Sequence, residues 1–576
     1  MLQLFLDGQQ VALALDTKIG ITALNPYFNE MEAASYTFTI PYKPNEHILK
    51  YAGRIQNATR TFSCSAILIV DAVQILRGEA IADGDLQDGQ FPIILRSAKT
   101  SFVKLAEANK LQEMDFGGDD PILYTNFVDL NDYRSLTLYG HYPDYPFICA
   151  PFYAPKAWND VEGTDYIPNF INKFDMQTQK LDNSYSISVV SGHPITYNFY
   201  VRWILKKIIE LFGFILDSDD METIPDLNRW FLLSLNVDDA VREYKTAFPL
   251  ITAREFLQII RQFGIVLILN EKDGHASIKL IKDLFTGAAI SNLFNNRSLS
   301  DILVFDTPTD GYIISYKNFE NDLLVNEYSP YLIEVTSLPT ASAFTSGNTY
   351  HLVPSDRIYV ALLQTKVLVT DPDVYKWTNI GMYLPYKSGN VEASIELNTR
   401  IIGQRQEAFS FTQSRTGGGG VPVTKIWAPE IELPETSQKM NFMTWHYGKA
   451  KYEDFDLSFL FNWGLQRYDS NDSSFFTYHP VISGDCYTIE DIELGSISMR
   501  THGTKSIITQ LVKDEQDWIL RRKSKRQYFN LSVGDYAQFR WNEIQNIGSV
   551  NYFVNSLKFD ISRNGISLVE AELFTV

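Results

Sequence analysis

The sequence predicts a mainly β, multidomain protein with one α+β module, and three observations support this class. The chain has 576 residues, and a single hydrophobic core stops growing well below that length, so several domains are expected. Aromatic residues, which favour strands and interfaces, make up 14% of the chain, led by 37 Phe and 32 Tyr. Short apolar runs separated by Gly-containing turns recur through most of the chain, whereas helical periodicity is concentrated in one block.

The first two segments differ in composition. Residues 1–98 contain short apolar runs punctuated by Gly, which predicts a strand-rich N-terminal domain that is compatible with a β-barrel. Within it, Asp88-Gly89 is a hairpin turn signal, and a short strand is predicted to follow at residues 91–95. Residues 99–192 are rich in Asp, Asn, Tyr and Pro, and they predict short strands joined by long loops.

Residues 193–290 are predicted to form the α+β module, beginning with a helix. Its apolar stripe follows helical spacing and comprises Val201, Ile204, Leu205, Ile208 and Leu211. Gly213 follows as a plausible cap. The basic residues lie off the stripe, at Arg202, Lys206 and Lys207.

A second helix of the module begins with a capping-box pattern, because Thr252 is followed three residues later by Glu255. Its buried stripe is predicted to comprise Phe256, Ile259, Ile260 and Phe263. Gly264 ends this helix, and the strand Ile265–Leu269 follows. Asp273-Gly274 then turns the chain into a further strand.

The rest of the chain returns to strands. Residues 291–447 are predicted to be a β-rich insertion or peripheral domain, and residues 448–576 a strand-rich C-terminal domain that is compatible with a second β-barrel. One helix is predicted around Trp518. Before an Asn564-Gly565 turn, apolar residues alternate with polar ones at Leu557, Phe559 and Ile561. The apolar residues of the returning strand change phase after Leu568, which predicts a bulge.

The net charge of −19 arises from 50 basic and 69 acidic side chains. This balance argues against unspecific nucleic-acid binding, which depends on Lys and Arg to neutralise phosphate. It fits a component of a particle, or a channel wall past which DNA moves without adhering. Solubility alone explains the charge equally well.

Cysteine usage and hydropathy indicate a soluble intracellular product. The three cysteines are too few and too widely separated for a disulfide framework, and Cys64 and Cys149 are expected to be small buried hydrophobes. Cys486 has no neighbouring Cys or His at zinc-ligand spacing. The first residues lack a basic signal-peptide region, and the apolar runs are too short to span a bilayer. We therefore expect a chain that is made in the host cytoplasm.

Fragments that resemble catalytic motifs lack the context that catalysis needs. Residues 115–118 read Asp-Phe-Gly-Gly, but no other kinase signature accompanies them. The glycines at residues 417–420 lack the Lys-Ser/Thr ending of a phosphate loop, so a hinge or surface loop is favoured. We expect no enzymatic activity, no catalytic residues, and no bound cofactor or metal.

Several charged or aromatic clusters have more than one interpretation. His446 and His479 have aromatic neighbours, which fits either a binding pocket or packed structural histidines. The basic run at residues 521–526 is predicted to be a solvated helix face, with contact to an acidic neighbouring subunit as the alternative. Two acidic groups lack Ca²⁺-loop spacing and are expected in solvated loops: Asp217, Asp219 and Asp220, and Asp469 and Asp472.

A family resemblance rests on four segments of the chain. They are SYTFTIPYKPNEHILKYAG, AILIVDAVQILRGEAIADG, PITYNFYVRWILKKIIELFGF with the helix–strand block after it, and YFVNSLKFDISRNGISLVEAELF. Together they resemble tail hub proteins (baseplate hub or tail-associated proteins) of long-tailed bacteriophages, particularly those of Bacteroidetes hosts. The likeness spans most of the chain through diffuse patterns, and residues 300–445 match least.

The resemblance implies a homotrimer at the tail tip of the virion, with two hub-type β-barrels in each subunit. Three subunits would present six similar barrels to the tail tube or distal tail protein. The ring would contact the tape measure protein, carry spike, fibre or receptor-binding proteins, and surround the channel through which genomic DNA passes.

Two other classes of function stay open. One is a peripheral tail adhesin or glycan-binding protein, since Tyr- and Trp-rich β surfaces suit sugar stacking. The other is a cell-wall glycan hydrolase, whose paired carboxylates cannot be identified among 69 acidic residues without geometry.

Overall fold

The structure is a computed structural model, and it confirms a mainly β class with an α+β module, distributed over several sheets. It describes residues 1–29, 35–51, 62–82, 86–118, 127–153, 170–172, 174–175, 178–181, 186–187, 190–191, 195–234, 243–270, 274–295, 298–306, 312–316, 332–333, 344–346, 348–355, 358–366, 375–385, 393–397, 404–409, 424–429, 457–467, 478–484, 487–489, 492–499 and 504–576.

The N-terminal part of the chain forms an antiparallel sheet. Its elements are β1 (Leu2–Leu6), β2 (Gln9–Gln10), β3 (Ile19–Leu24), β4 (Ser35–Pro41), the short helix α1 (Tyr42–Asn45), β5 (Phe62–Val70), β6 (Val73–Ala82) and β7 (Gln90–Ser97). The described strands pair in the order β2-β1-β5-β6-β7-β4. Asp88 and Gly89 have φ of 48° and 73°, as a two-residue hairpin turn requires, which confirms the predicted turn before β7.

A second large sheet belongs mostly to the C-terminal part. Its elements are β20 (Ile290–Ser291), β21 (Ser298–Asp306), β35 (Lys523–Phe529), β36 (Ile544–Ile547), β37 (Val550–Ser562), β38 (Gly565–Ile566) and β39 (Val569–Thr575). The described strands follow the order β20-β36-β37-β39-β35-β21, and β38 also pairs with β37. Ile561 lies opposite Ile566, but Leu557 lies opposite Ala571. The pairing shifts by one residue, which confirms the predicted change of phase.

The two large sheets share one hydrophobic core, here called the terminal core. Strand β3 lies outside the N-terminal sheet and pairs antiparallel with β37 of the C-terminal sheet, so that Ile21 lies opposite Phe559. Buried residues from both ends of the chain pack in this core, including Leu4, Leu68, Phe91, Phe529, Leu557 and Leu573. The buried Asn25 amide donates to the carbonyl of Val554 at 2.7 Å, which fixes the end of β3. The first and last segments of the chain therefore form one packed unit.

Two helices follow the N-terminal sheet, where loops and short strands were predicted. They are α2 (Ala98–Ala108) and α3 (Phe127–Leu136). The prediction missed a clear start signal, because the Ser97 hydroxyl accepts a hydrogen bond from the backbone N–H of Thr100. It also missed the buried stripe of α2, formed by Phe102, Val103 and Ala106. Short strands fill the remainder: β8 (Phe147–Ile148), β9 (Phe152–Tyr153), β10 (Phe170–Ile171), β11 (Phe174–Asp175), β12 (Lys180–Leu181), β13 (Ser186–Ile187), β14 (Val190–Ser191) and β15 (Asn198–Phe199).

The α+β module contains both predicted helices. Its elements are α4 (Val201–Leu211), β16 (Ile215–Asp219), β17 (Trp230–Leu232), α5 (Ala253–Gln262), β18 (Ile265–Leu269), β19 (His275–Leu280) and α6 (Ile281–Gly287). Gly213 has a φ of 78°, which confirms it as the cap of α4. Leu211, the last residue of the apolar stripe, is 39% exposed, because it lies in the last turn of the helix, beyond the packed part of the stripe.

Helix α5 is built as the sequence predicts. Thr252 and Glu255 form a complete capping box. The predicted stripe is buried, at Phe256, Ile259, Ile260 and Phe263. After α5 the chain forms β18, which pairs antiparallel with β19, while β16 pairs parallel to the other side of β19. Gly274 has a φ of 78°, and Asp273 of the predicted turn lies outside the described residues.

A second hydrophobic core, here called the central core, joins the module to strands that lie much later in the chain. One face of the β16-β19-β18 sheet packs in it together with α2, α4 and α5. Strand β17 pairs with β31 (Phe459–Arg467), which pairs with β32 (Tyr478–Ser483). The other described strands are β22 (Tyr312–Tyr316), β23 (Leu332–Ile333), β24 (Phe344–Ser346), β25 (Asn348–Ser355), β26 (Ile358–Lys366), β27 (Tyr375–Pro385), β28 (Ala393–Leu397), β29 (Gln404–Phe409), β30 (Thr424–Pro429), β33 (Tyr487–Ile489) and β34 (Ile492–Leu494).

The predicted helix around Trp518 is present, but the basic run after it is not a helix face. The last helices are α7 (Ile507–Leu511), α8 (Lys513–Arg521) and α9 (Val533–Gln538). Only Arg521 of the run lies in α8, and β35 begins at Lys523. The guanidinium of Arg522 lies 4.3 Å from the centroid of the Phe574 ring and 4.8 Å from that of Trp518. Burial there lowers the pKa of Arg522. The helical interpretation is wrong because the chain turns from helix into a central sheet strand within this run.

Candidate functional site

A cleft lies where the α+β module meets the terminal sheets. Its volume is about 450 Å³, which is within the usual range of small-ligand pockets. Parts of the chain that are far apart in sequence supply its walls: the end of β3, Ile75 of β6, Lys99 of α2, the β16-β19-β18 sheet, and the segment at the end of α9. These parts come together only in the folded chain, and no short sequence motif marks the cleft.

The module side of the cleft is formed by one face of a small sheet. Along β19, Ala276, Ile278 and Leu280 are buried in the central core, while the alternate residues His275 and Ser277 line the cleft. Asp217 on β16 and Asn270 after β18 complete the polar part of this wall. The period-two alternation of strands therefore separates a structural face from a polar face.

The opposite side of the cleft is amphipathic. Tyr536 and Trp541 line it and are anchored by edge-to-face contacts with Phe559 and Phe539, at centroid distances of 5.1 and 4.8 Å. One guanidinium nitrogen of Arg540 donates to the carbonyls of Ala537 and Phe539 at 2.9 and 3.1 Å. These contacts hold the aromatic rings and the guanidinium in defined positions.

An imidazole–carboxylate pair occupies the module wall. The Nδ1 of His275 lies 2.5 Å from Oδ1 of Asp217, and the two side chains are 34% and 50% exposed. The carboxylate accepts from Nδ1 and so leaves Nε2 as the second polar atom of the ring. Lys99, a cation of the terminal side, is 3% exposed and donates to the carbonyl of Asn29 at 2.7 Å.

The acidic residues after α4 are paired rather than solvated, which corrects the predicted loop. Nε of Arg202 donates to Asp219 at 2.5 Å, with side-chain exposures of 3% and 4%. The same guanidinium pairs with Glu222 and donates to the Asn228 amide oxygen at 2.5 Å. Lys279 pairs with Asp220 at 2.9 Å. Arg202 lies off the apolar stripe as predicted, but the segment after β16 folds back over it and buries it.

The module is attached to the terminal sheets by a cluster here called the aromatic junction. Its buried members are Tyr27, Val266, Ile281, Leu284, Trp518, Phe553 and Phe574. The Trp518 indole N–H donates to the Thr575 carbonyl at 2.6 Å. Arg261 of α5 forms a bidentate pair with Glu515 of α8 and also donates to the Tyr27 carbonyl at 3.2 Å. The junction fills one end of the interface between the module and the terminal sheets, and the cleft lies at the other end.

The residues singled out from the sequence mostly lie away from the cleft. Asp115 accepts from the backbone N–H of Gly117 at 3.1 Å, which is an ordinary turn contact. Cys64 and Cys149 are buried, as predicted, and burial raises the pKa of the Cys64 thiol to about 11. The structure does not describe residues 417–420, the side chains of His446 and His479, Asp469, Asp472 or Cys486.

Of the three neighbouring acidic residues Asp217, Asp219 and Asp220, only Asp217 lines the cleft. Sequence reasoning missed the site because its lining residues converge from positions spread between Ala23 and Trp541. Within the described part of the chain, no group of three or more His, Cys, Asp or Glu side chains is arranged to hold a metal ion. In the same residues, no helix is long and apolar enough to cross a membrane.

Solved structures of tail proteins align with nearly the whole of this chain. No family model matches the sequence, and no curated protein matches it. The 43 kDa tail protein of prophage MuSo2 from Shewanella oneidensis aligns over 99% of this chain and 97% of its own, with 8% identity and a TM-score of 0.34. The tail protein from Neisseria meningitidis MC58 aligns over 100% and 95%, with 7% identity and a TM-score of 0.32.

Proposed function

We propose that the chain is a structural protein of a bacteriophage tail tip, a hub whose terminal sheets build the wall of a ring. The observation that carries the proposal is the pairing of β3 with β37 inside a shared terminal core. Two sheets that share a core hold a fixed relative position, which a ring subunit needs at both of its contacts. The sequence resemblance to tail hub proteins supports a ring at the tip of a phage tail.

The attachment of the module supports a scaffold role. The aromatic junction and the Arg261–Glu515 pair join the module to the terminal sheets through buried contacts. Large buried aromatic contacts of this kind favour a single orientation over independent domain motion. A protein that carries spikes or fibres on one side and a tube on the other benefits from such a fixed connection.

The finer features of the proposal follow the family resemblance. The chain acts as a homotrimer that joins the tail tube or distal tail protein to spike, fibre or receptor-binding proteins. It contacts the tape measure protein and surrounds the channel for genomic DNA. With a net charge of −19, we expect the channel-facing surface to be acidic, because like charges keep DNA from adhering during passage.

A serine-type hydrolase, distinct from a glycan hydrolase with paired carboxylates, is disfavoured by the geometry around His275. Asp217 and His275 form two parts of a nucleophile-activating arrangement, and Ser277 lies two residues further along the same strand face. However, β19 is paired on both sides, so the sheet uses its backbone N–H groups. Nucleophilic serines of hydrolases lie on sharp turns whose free N–H groups stabilise the oxyanion. We propose that the chain is not an enzyme.

The location of the chain in intact particles tests this proposal. An affinity tag on the chain, detected by gold-labelled antibody in purified virions, is expected to mark the end of the tail. Label on the capsid, or no label on particles that contain the tagged chain by mass spectrometry of dissociated virions, would contradict the hub role. Incubation of the purified chain with host cell-wall material is expected to release neither sugar nor peptide.

A further inference from the structure

The cleft has no part in holding the fold together. The aromatic junction already closes one end of the interface between the module and the terminal sheets. At the other end about 450 Å³ stays open, although the same two walls continue. Interfaces that serve only attachment are packed as densely as protein interiors. An open polar space of this size therefore requires its own explanation.

The way β19 is paired defines how an occupant would be recognised. The strand that supplies His275 and Ser277 has β16 on one side and β18 on the other. Its backbone groups are therefore engaged, so an occupant that contacts this strand meets the side chains of His275 and Ser277 and not the backbone of β19. Recognition must use side chains, which here are a carboxylate, an imidazole, an amide and a hydroxyl.

The charges around the cleft exclude a strongly charged occupant. Asp217 contributes negative charge on one side of the cleft, while Lys99 and Arg540 contribute positive charge on the facing side. An anion would meet the Asp217 carboxylate, and a cation would meet the guanidinium. A neutral ligand with many donors and acceptors satisfies both kinds of group.

The aromatic residues add an apolar requirement. Tyr536 and Trp541 lie in the wall that faces the polar sheet, held by Phe559 and Phe539. Aromatic rings offer flat apolar faces with a polar edge. A pyranose ring has the matching character, with C–H groups on one face and hydroxyl groups around its rim.

We propose that this cleft binds a neutral carbohydrate of one or two sugar units. The ring packs against Tyr536 or Trp541, and its hydroxyls donate to Asp217 and exchange hydrogen bonds with Asn270 and Ser277. All the residues that line the site belong to one chain, so binding can be measured on the isolated chain. A tail-tip protein with such a site contacts the glycan surface of a cell directly.

Saturation-transfer NMR on the purified full chain tests the proposal. The probes are N,N′-diacetylchitobiose, cellobiose, maltose and lactose, each at about 10 mM, well above a dissociation constant of roughly 1 mM. At least one probe is expected to receive saturation from the protein. Ser277→Leu, which places a branched apolar side chain in the cleft, is expected to abolish the transfer. Asp217→Asn is expected to weaken binding at least tenfold.

The controls separate the cleft from unspecific effects. Asp144→Asn changes an exposed carboxylate outside the cleft and is expected to bind the probe as the unchanged chain does. Thermal unfolding confirms that each variant is folded before binding is measured. The proposal is overturned if none of the four probes receives saturation, or if Ser277→Leu binds as well as the unchanged chain. Neither outcome bears on the position of the chain in the particle.

Discussion

At the scale of single residues, the most informative side chain is Arg202. It is almost fully buried, yet it is charged, and it is surrounded by Asp219, Glu222 and the Asn228 amide. Its guanidinium also lies 5.3 Å from the centroid of the Tyr142 ring. A buried ion is tolerated only when its partners are fixed. The network therefore makes the chain segment after β16 dependent on one residue of α4.

Arg202→Met is expected to destabilise the chain by roughly 3 kcal/mol, because it leaves the Asp219 carboxylate buried with reduced compensation. Lys206, 3.1 Å from Asp219, still pairs with this carboxylate in the variant and so limits the loss of stability. The matched change Lys207→Met removes an exposed pair with Glu210 and should cost less than about 1 kcal/mol. Chemical unfolding measures the free energy of unfolding of both variants. Equal losses of stability would show that the buried network contributes no more than the exposed pair.

Tyr27 makes the stability of the folded chain depend on pH in the alkaline range. Burial raises the pKa of Tyr27 to about 12, and the negative charges of Asp220 and Asp283 add to the effect. The unfolded chain releases this proton near pH 10, before the folded chain does. The contribution of Tyr27 to stability is therefore complete below pH 10 and is lost as the pH rises towards 12, by about 2–3 kcal/mol in total.

Tyr27→Phe keeps the ring in the aromatic junction and removes the ionisable group. We expect the free energy of unfolding of this variant to fall less between pH 9 and pH 11 than that of the unchanged chain. Urea titrations at the two pH values provide the measurement. An identical fall in both proteins would mean that Tyr27 ionises freely in the folded state.

At the scale of elements, local signals in the sequence were sufficient where the structure is local. The capping box of α5, the positive φ at Asp88-Gly89 and the one-residue shift in the last hairpin were all predictable. Helix α2 was predictable too, since Ser97 and an apolar stripe announce it. It was missed because the polar composition of the longer segment outweighed that signal.

The candidate site was not predictable, because it depends on pairings between distant strands. Nothing in residues 19–24 indicates that they pair with residues 550–562, and the cleft forms only after they do. The same holds for the buried pair of Arg202 and Asp219, since a single sequence shows the charges but not the fold of the chain over them.

Helix α5 is the element on which the central core depends most directly. Phe256 is fully buried in that core, and Phe256→Ala should cost roughly 3–5 kcal/mol. Leu211→Ala in α4 is the control, because its side chain is 39% exposed and its loss should cost less than about 1 kcal/mol. Thermal melting of the two variants compares them. Unchanged melting of Phe256→Ala would show that α5 does not pack as described.

At the scale of the whole molecule, the arrangement of the chain suggests why its two ends belong together. The N-terminal sheet and the C-terminal sheet each contain a hairpin with a two-residue polar turn, at Asp88-Gly89 and at Arg563-Asn564, the latter one residue before the predicted Asn564-Gly565. They share the terminal core, while the module and the remaining strands lie between them in sequence. The middle of the chain also contributes β20 and β21 to the C-terminal sheet, so that sheet combines strands from both sides of the intervening segment.

This arrangement leads to a prediction about symmetry. If each terminal sheet serves as one hub-type barrel, three chains present six similar units, which matches a sixfold tube to a threefold tip. Closed rings of this kind bury the contact surfaces of every subunit, whereas open contacts generate filaments. We therefore expect three copies of the chain, in a closed ring, at the end of the tail. Cryo-electron microscopy of intact particles measures copy number and symmetry directly, without requiring that the isolated chain form trimers in solution. Six or twelve copies in the ring, or two terminal sheets that do not superpose on each other, would rule out this match.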